Sequence, residues 1–180
     1  MYINLRLTKK FIMDSQEPTL ILTKQEIEQK INRLAYQVYE YNFEEKELVI
    51  CGIWSRGYTL AERIYAKLKE ISPLKLQLIK IQYDKTNKRD SVIKVEPALH
   101  NLEEKAVIMC DDVLYTGKSM AYAAVPFLNA GVRKLQCLVL IHRNHPTYPI
   151  LPTFVGLSLA TTLQEHVSVN LSGEENVYLQ

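Results

Sequence analysis

Apolar positions along the chain fall into two alternating kinds of run. Ile27, Ile31, Leu34, Ala35 and Val38 recur at helical spacing. Thr23 and Glu26 precede them at capping-box spacing, with hydroxyl and carboxylate each set to satisfy a free backbone N–H. Asn42 marks the end of this predicted helix. "ELVICGIW" is then continuously apolar, as expected of a parallel strand buried on both faces. "SRG" breaks that run, and Leu60, Ala61, Ile64 and Leu68 trace a second helix. "LKLQLIKI" reads as the next strand. Residues 83–105 are polar and charged, with "SVIKV" a short strand inside them; a connection this long predicts a functional lid.

Val107–Cys110 is a further buried strand. Met120, Ala121, Ala124, Val125 and Leu128 follow as a helix ending at Gly131, with Pro126 inside it. "KLQCLVLI" is one more buried strand, and Pro146, Pro149 and Pro152 punctuate the loop after it. "TFVGLSL", "HVSVNL" and the terminal "ENVYLQ" read as late short strands. The first 19 residues give no clear pattern beyond a turn at Glu17-Pro18. The strand–helix alternation predicts an α/β fold: a parallel sheet with helices on both faces, plus a small hood of late strands. The expectation is a single domain over residues 1–180, with an N-terminal extension of about 20 residues.

Composition narrows the function classes. The chain is 47% hydrophobic and 23% charged, with a formal net charge of +2, ordinary for a globular protein and too near neutral for one whose main task is coating nucleic acid. Its apolar runs are too short to span a bilayer, and the N-terminus lacks a secretory pattern. Cys51, Cys110 and Cys137 each lie in or beside an apolar run without C-x-x-C spacing. They read as buried, reduced thiols, and the cytoplasm is the expected compartment.

The chemistry concentrates in "VIMCDDVLYTGKSM", Val107–Met120. Asp111 and Asp112 fall at the carboxyl end of a buried strand, and Thr116, Gly117, Lys118 and Ser119 fall where a helix begins. In parallel α/β sheets ligands bind at such strand ends. The free N–H groups of a helix start, with hydroxyls and Lys118, suit a phosphate monoester. An ATPase loop would need glycine where Asp112 stands, so that reading fails. The aspartates suit groups one sugar-length from the phosphate: ribose hydroxyls or a divalent cation. Two caps beside a tight turn would account for the pattern structurally, but burying two carboxylates without partners is costly.

This segment resembles the phosphoribosyl-pyrophosphate (PRPP) motif of type I phosphoribosyltransferases, and "DDVLYTG" is similar to the pyrimidine-operon attenuator/uracil phosphoribosyltransferase family. "GIWSRG", "LVLIHRNHPTYPI" and "FVGLSLATTLQEHVSVNL" extend the likeness from about Ile21 to Leu179. The resemblance implies that Asp111 and Asp112 hold the ribose hydroxyls. It puts the 5′-phosphate on Tyr115, Thr116, Gly117, Lys118 and Ser119, and pyrophosphate on Ser55, Arg56 and Gly57. The implied catalytic set is Asp111, Asp112 and Arg56. The implied lid carries Tyr83, Lys85, Lys88 and Arg89, and the implied base contacts are His142, Arg143, Phe154 and Val155. Mg²⁺ would be bound mainly through PRPP, with Asp111 or Asp112 as the candidate protein ligands. His142 and His145 lack a third ligand, which argues against a metal pair.

The implied reaction is transfer of ribose 5-phosphate to uracil, giving UMP and pyrophosphate, in a homodimer or higher oligomer with no membrane partner. Four positions depart from the family pattern: Trp54 before "SRG", "YDKTNK" at the lid, His142 in place of an aspartate, and Pro146 in place of an arginine. Arg33, Arg143 and His145 match the family's RNA-binding face, but Glu28, Gln29 and Tyr36 make its first helix less basic. A regulatory RNA binder sensing PRPP or nucleotide is therefore the alternative, not the leading expectation. A purine phosphoribosyltransferase is a weaker alternative.

Overall fold

The computed structural model describes residues 17–83, 93–97 and 102–180. A six-stranded sheet forms its centre, in the order β4-β3-β2-β5-β6-β7. The strands are β2 (Glu47–Ile53), β3 (Lys75–Tyr83), β4 (Ile93–Glu96), β5 (Ala106–Leu114), β6 (Lys134–Arg143) and β7 (Phe154–Leu159). All neighbours pair in parallel except β4, which runs antiparallel to β3. The continuous apolar runs are explained by burial on both faces. Leu48 and Ile50 of β2 and Ala106, Ile108 and Cys110 of β5 pack in the core beneath α1 (Lys24–Tyr41) and α2 (Arg56–Ile71). Their neighbours Val49, Cys51, Ile53, Val107 and Met109 pack with Met120, Ala123 and Phe127 of α3 (Lys118–Asn129) on the other face. The expected architecture of helices on both faces is what forms.

Local signals set the helix ends. Thr23 caps α1 as expected, with the reciprocal Glu26 bond in place. Asn42 closes the helix, and its buried amide donates to the Val38 carbonyl at 2.8 Å. Gly131 follows α3 with φ +69°, and Pro126 stays inside that helix.

The second sheet is the expected hood, with an early strand added. It is three-stranded and antiparallel, ordered β1-β9-β8, and so includes the early strand β1 (Thr19–Thr23) beside β8 (Val167–Asn170) and β9 (Asn176–Leu179). β7, expected among the late hood strands, instead extends the main sheet alongside β6. Arg63 of α2 fastens the small sheet to the helices through ion pairs with Glu175 at 2.7 Å and with Glu28 of α1.

The strand order reverses at β2: the chain leaves β2 for β3 on one side and returns as β5 on the other. The crevice outside the carboxyl ends of β2 and β5 is therefore the topological switch point, where open α/β sheets bind ligands. All three cysteines are buried and unpaired, and burial pushes the Cys137 thiol up to about 11, so they act as apolar filling. Among the described residues no helix is long and apolar enough to cross a membrane.

Candidate active site

A cleft of about 480 Å³ lined largely by polar side chains lies at that switch point. The turn after β2 supplies Trp54, Ser55 and Arg56, the end of β5 supplies Asp111 and Asp112, and the turn into α3 supplies Tyr115 to Ser119. Two turns adjacent in the sheet but about sixty residues apart in sequence thus face one space.

The pieces fit because one residue between them has no side chain. Gly57 opens α2 against the end of β5. A Cβ there would lie 2.8 Å from both Asp111 Oδ1 and the Cys110 carbonyl oxygen, and 2.9 Å from Asp111 Cα. Gly57 is accordingly buried within the contact and does not line the cleft. The approach brings Arg56 Nε to 2.8 Å from Asp112 Oδ2.

Asp112 is only 7% exposed, yet that oxygen receives no well-directed N–H: the pair is ionic by distance without an aligned hydrogen bond. A buried carboxylate oxygen with unused lone pairs is poised for a hydroxyl donor or a hard cation. Among the described residues no group of three or more His, Cys, Asp or Glu side chains could hold a metal ion by itself.

The second turn is shaped for an anion. Gly117 sits at φ +81° as the residue before α3, in the left-handed region that favours glycine. The turn is pinned from outside, since the Thr116 carbonyl accepts from the backbone N–H groups of Thr147 and Tyr148 at 3.0 and 2.9 Å. The first N–H groups of α3 have no partners within the helix, although that of Lys118 donates to Thr116 Oγ1 at 3.4 Å, and a helix start of this kind suits an anion.

The far wall is Leu163 to Val167, part of the closing segment that carried the family likeness but held none of the candidate site residues. A buried arginine brings it to the cleft. Arg143 is 3% exposed. Its Nε donates to Thr161 Oγ1 at 2.9 Å, and its Nη2 donates to the carbonyls of Thr162 and Glu165 at 3.0 and 2.7 Å. Its guanidinium lies 4.2 Å from the Tyr115 ring centre. His145 Nε2 adds a 2.7 Å contact to the Thr161 carbonyl. Arg143 thus ties the far wall to the phosphate-type turn.

Other expected base contacts are not brought together. Successive strand residues face opposite sides, so His142, beside Arg143 on β6, does not line the cleft. Burial lowers the pKa of its imidazole. Phe154 is buried at the start of β7 in the core under α1, edge-on to Tyr41 with ring centres 5.8 Å apart. Val155 neighbours it, and both line a separate groove with Arg33 and Tyr41. Tyr83 ends β3. Lys85, Lys88 and Arg89 lie outside the described residues, as does most of the segment read as a lid.

Comparison with known proteins gives the family. The phosphoribosyl transferase domain family matches residues 19–170. The chain is 33% identical over 159 residues to the bifunctional protein PyrR of Clostridium kluyveri, covering 85% of this chain and 90% of that protein. It is likewise 33% identical over 175 residues to the bifunctional protein PyrR of Pelotomaculum thermopropionicum, covering 92% and 97%. A hypoxanthine phosphoribosyltransferase of Trypanosoma cruzi has the same fold, with a TM-score of 0.76 at 12% identity over 89% of this chain and 95% of that one. A hypoxanthine-guanine phosphoribosyltransferase of Bacillus anthracis matches with a TM-score of 0.65 at 18% identity, covering 80% and 84%. A cleft with paired acids between two anion-suited turns, on a fold and sequence shared with these proteins, makes the chain a member of the type I phosphoribosyltransferase family, in the group of the bifunctional PyrR proteins.

Proposed function

We propose that the protein transfers the ribose 5-phosphate of PRPP to uracil, releasing UMP and pyrophosphate. The observation that carries this reading is the position of Asp111 and Asp112 between the Arg56 turn and the N-terminus of α3, all lining one cleft. The 5′-phosphate sits on Thr116–Ser119, the ribose hydroxyls donate to the Asp111 and Asp112 carboxylates, and the pyrophosphate lies toward Ser55 and Arg56. The bond from ribose C1 to the pyrophosphate oxygen breaks, and a bond from C1 to a ring nitrogen of the base forms. Pyrophosphate leaves with the bonding electron pair, and the proton released from the base nitrogen passes to the departing pyrophosphate or to water. Positive charge that builds on the ribose is stabilised by the two nearby carboxylates, while Arg56 meets the charge growing on pyrophosphate. Mg²⁺, when bound through PRPP oxygens and Asp111 or Asp112, supplies further neutralisation of the leaving group. The base lies against the Leu163–His166 wall held by Arg143. We place the protein in the cytoplasm as a homodimer or larger homo-oligomer.

Uracil is preferred over a purine because the relatives at 33% identity are PyrR proteins, whereas the hypoxanthine enzymes share 12–18% and support the fold alone. The relatives are named bifunctional, and regulatory RNA binding is the second reading, but side chains suited to it are already engaged. Arg33 Nη2 donates to the Val155 and Gly156 carbonyls at 2.9 and 2.7 Å, and Arg143 is buried. Phosphate contacts dominate RNA affinity, and few free cations remain at these positions to supply them. Purified protein with PRPP, Mg²⁺ and a panel of bases is expected to release pyrophosphate fastest with uracil. Release with hypoxanthine or guanine alone would replace uracil by a purine, and no release with any base would remove the enzymatic reading.

A further inference from the structure

Trp54, the chain's sole tryptophan, lines the cleft beside Arg56 and is 55% exposed. Its surroundings are built around Lys80. Lys80 on β3 pairs with Gly52 across the β2–β3 ladder. At Gly52 the helix touches the sheet: a Cβ there would lie 2.4 Å from Tyr58 Cα. Lys80 is therefore flanked by the helix as well as by the turn. Its Nζ lies 5.1 Å from the Trp54 ring centre and 5.9 Å from that of Tyr58, and the two rings are 6.1 Å apart. Glu96 of β4 holds the same ammonium at 3.0 Å. The Trp54 backbone N–H also donates to the Ile81 carbonyl at 2.7 Å. The Arg56 turn is thus fastened to the β3–β4 pair by one main-chain bond and one cation–aromatic cluster.

Taking the Arg56 turn as the pyrophosphate end, which rests on the proposed function, we infer that Lys80 is a positioning residue for that end and acts through the Trp54 ring. Lys80 does not line the cleft, so it stands behind the Trp54 side wall. Cation–π attraction fixes the indole as the side wall of the pyrophosphate site, and Glu96 fixes the ammonium. An unheld indole would swing across a polar cleft and compete with the ligand for the Arg56 turn.

The test is a double-mutant cycle on affinity for inorganic pyrophosphate with Mg²⁺, read by calorimetry on wild type, K80M, W54A and the double variant. K80M is expected to weaken binding about three- to tenfold, to shift the emission of the single tryptophan, and to be rescued by K80R. In the double variant the K80M effect should vanish, because the ring through which Lys80 acts is gone. Equal effects of K80M with and without Trp54 would mean that Lys80 acts by its charge alone, overturning the inference. So would unchanged pyrophosphate affinity in K80M. If wild type binds no pyrophosphate, the reading of the site falls, and this inference with it.

Discussion

Asp112→Asn is expected to weaken PRPP binding about 10- to 100-fold, the cost of exchanging a charged acceptor for a neutral one, and to lower turnover by about 10²-fold or more. Asp112 is the more buried of the two acids, its Oδ2 lacks a directed donor, and Arg56 is its counter-ion at 2.8 Å. An amide of the same shape presents one acceptor where the carboxylate presents two, and it removes the charge that holds Arg56 over the cleft. The fold should survive, because replacing a buried carboxylate by its neutral isostere also removes a desolvation cost. Thermal unfolding near the wild-type temperature, together with lost PRPP affinity, is the expected pair of results. Wild-type affinity in this variant would mean that the sugar binds elsewhere.

Gly57→Ala should damage both stability and activity. The added methyl would lie under 3.0 Å from the Cys110 carbonyl oxygen and from Asp111 Cα, backbone atoms in the middle of a sheet. The start of α2 must move instead, at a cost of about 1–3 kcal/mol and a melting temperature lower by about 5 °C. That movement separates Arg56 from Asp112, and misplacement of about 1 Å in a catalytic group costs on the order of 10²-fold. Calorimetry and a pyrophosphate-release assay on the same sample check both effects. Full activity in a destabilised G57A would show that the two turns need not be held this closely.

The parts of this site that were legible in the sequence are those whose chemistry is local. Asp111, Asp112 and the turn to Ser119 are contiguous, and a helix start after a buried strand has physical meaning before any fold is known. The capping box of Thr23 and Glu26 is likewise local, and it forms. What was not legible depends on tertiary docking. β1 was missed because Leu20–Leu22 is a short apolar run that merges into the cap of α1, and only pairing with β9 makes it a strand. The Leu163–Val167 wall has no local chemistry that marks a site, and it reaches the cleft through bonds to Arg143, eighteen or more residues earlier. His142 and Phe154 were placed near the base by their position after and beside β6. Strand alternation takes His142 away from the cleft, and the apolar demand of α1 takes Phe154 into the core. Arg143, expected as a base contact, lines the cleft, but its hydrogen bonds go to the wall behind it.

The central claim is that one cleft holds a phosphorylated ribose by its phosphate at α3 and by its hydroxyls at the acids, with pyrophosphate at the Arg56 turn. It is tested most directly by titrating the protein with PRPP and Mg²⁺, then competing with ribose 5-phosphate and with pyrophosphate separately. Saturable PRPP binding, displaced by each half alone, is the predicted result. Absence of PRPP binding, or PRPP binding that neither half displaces, would contradict it.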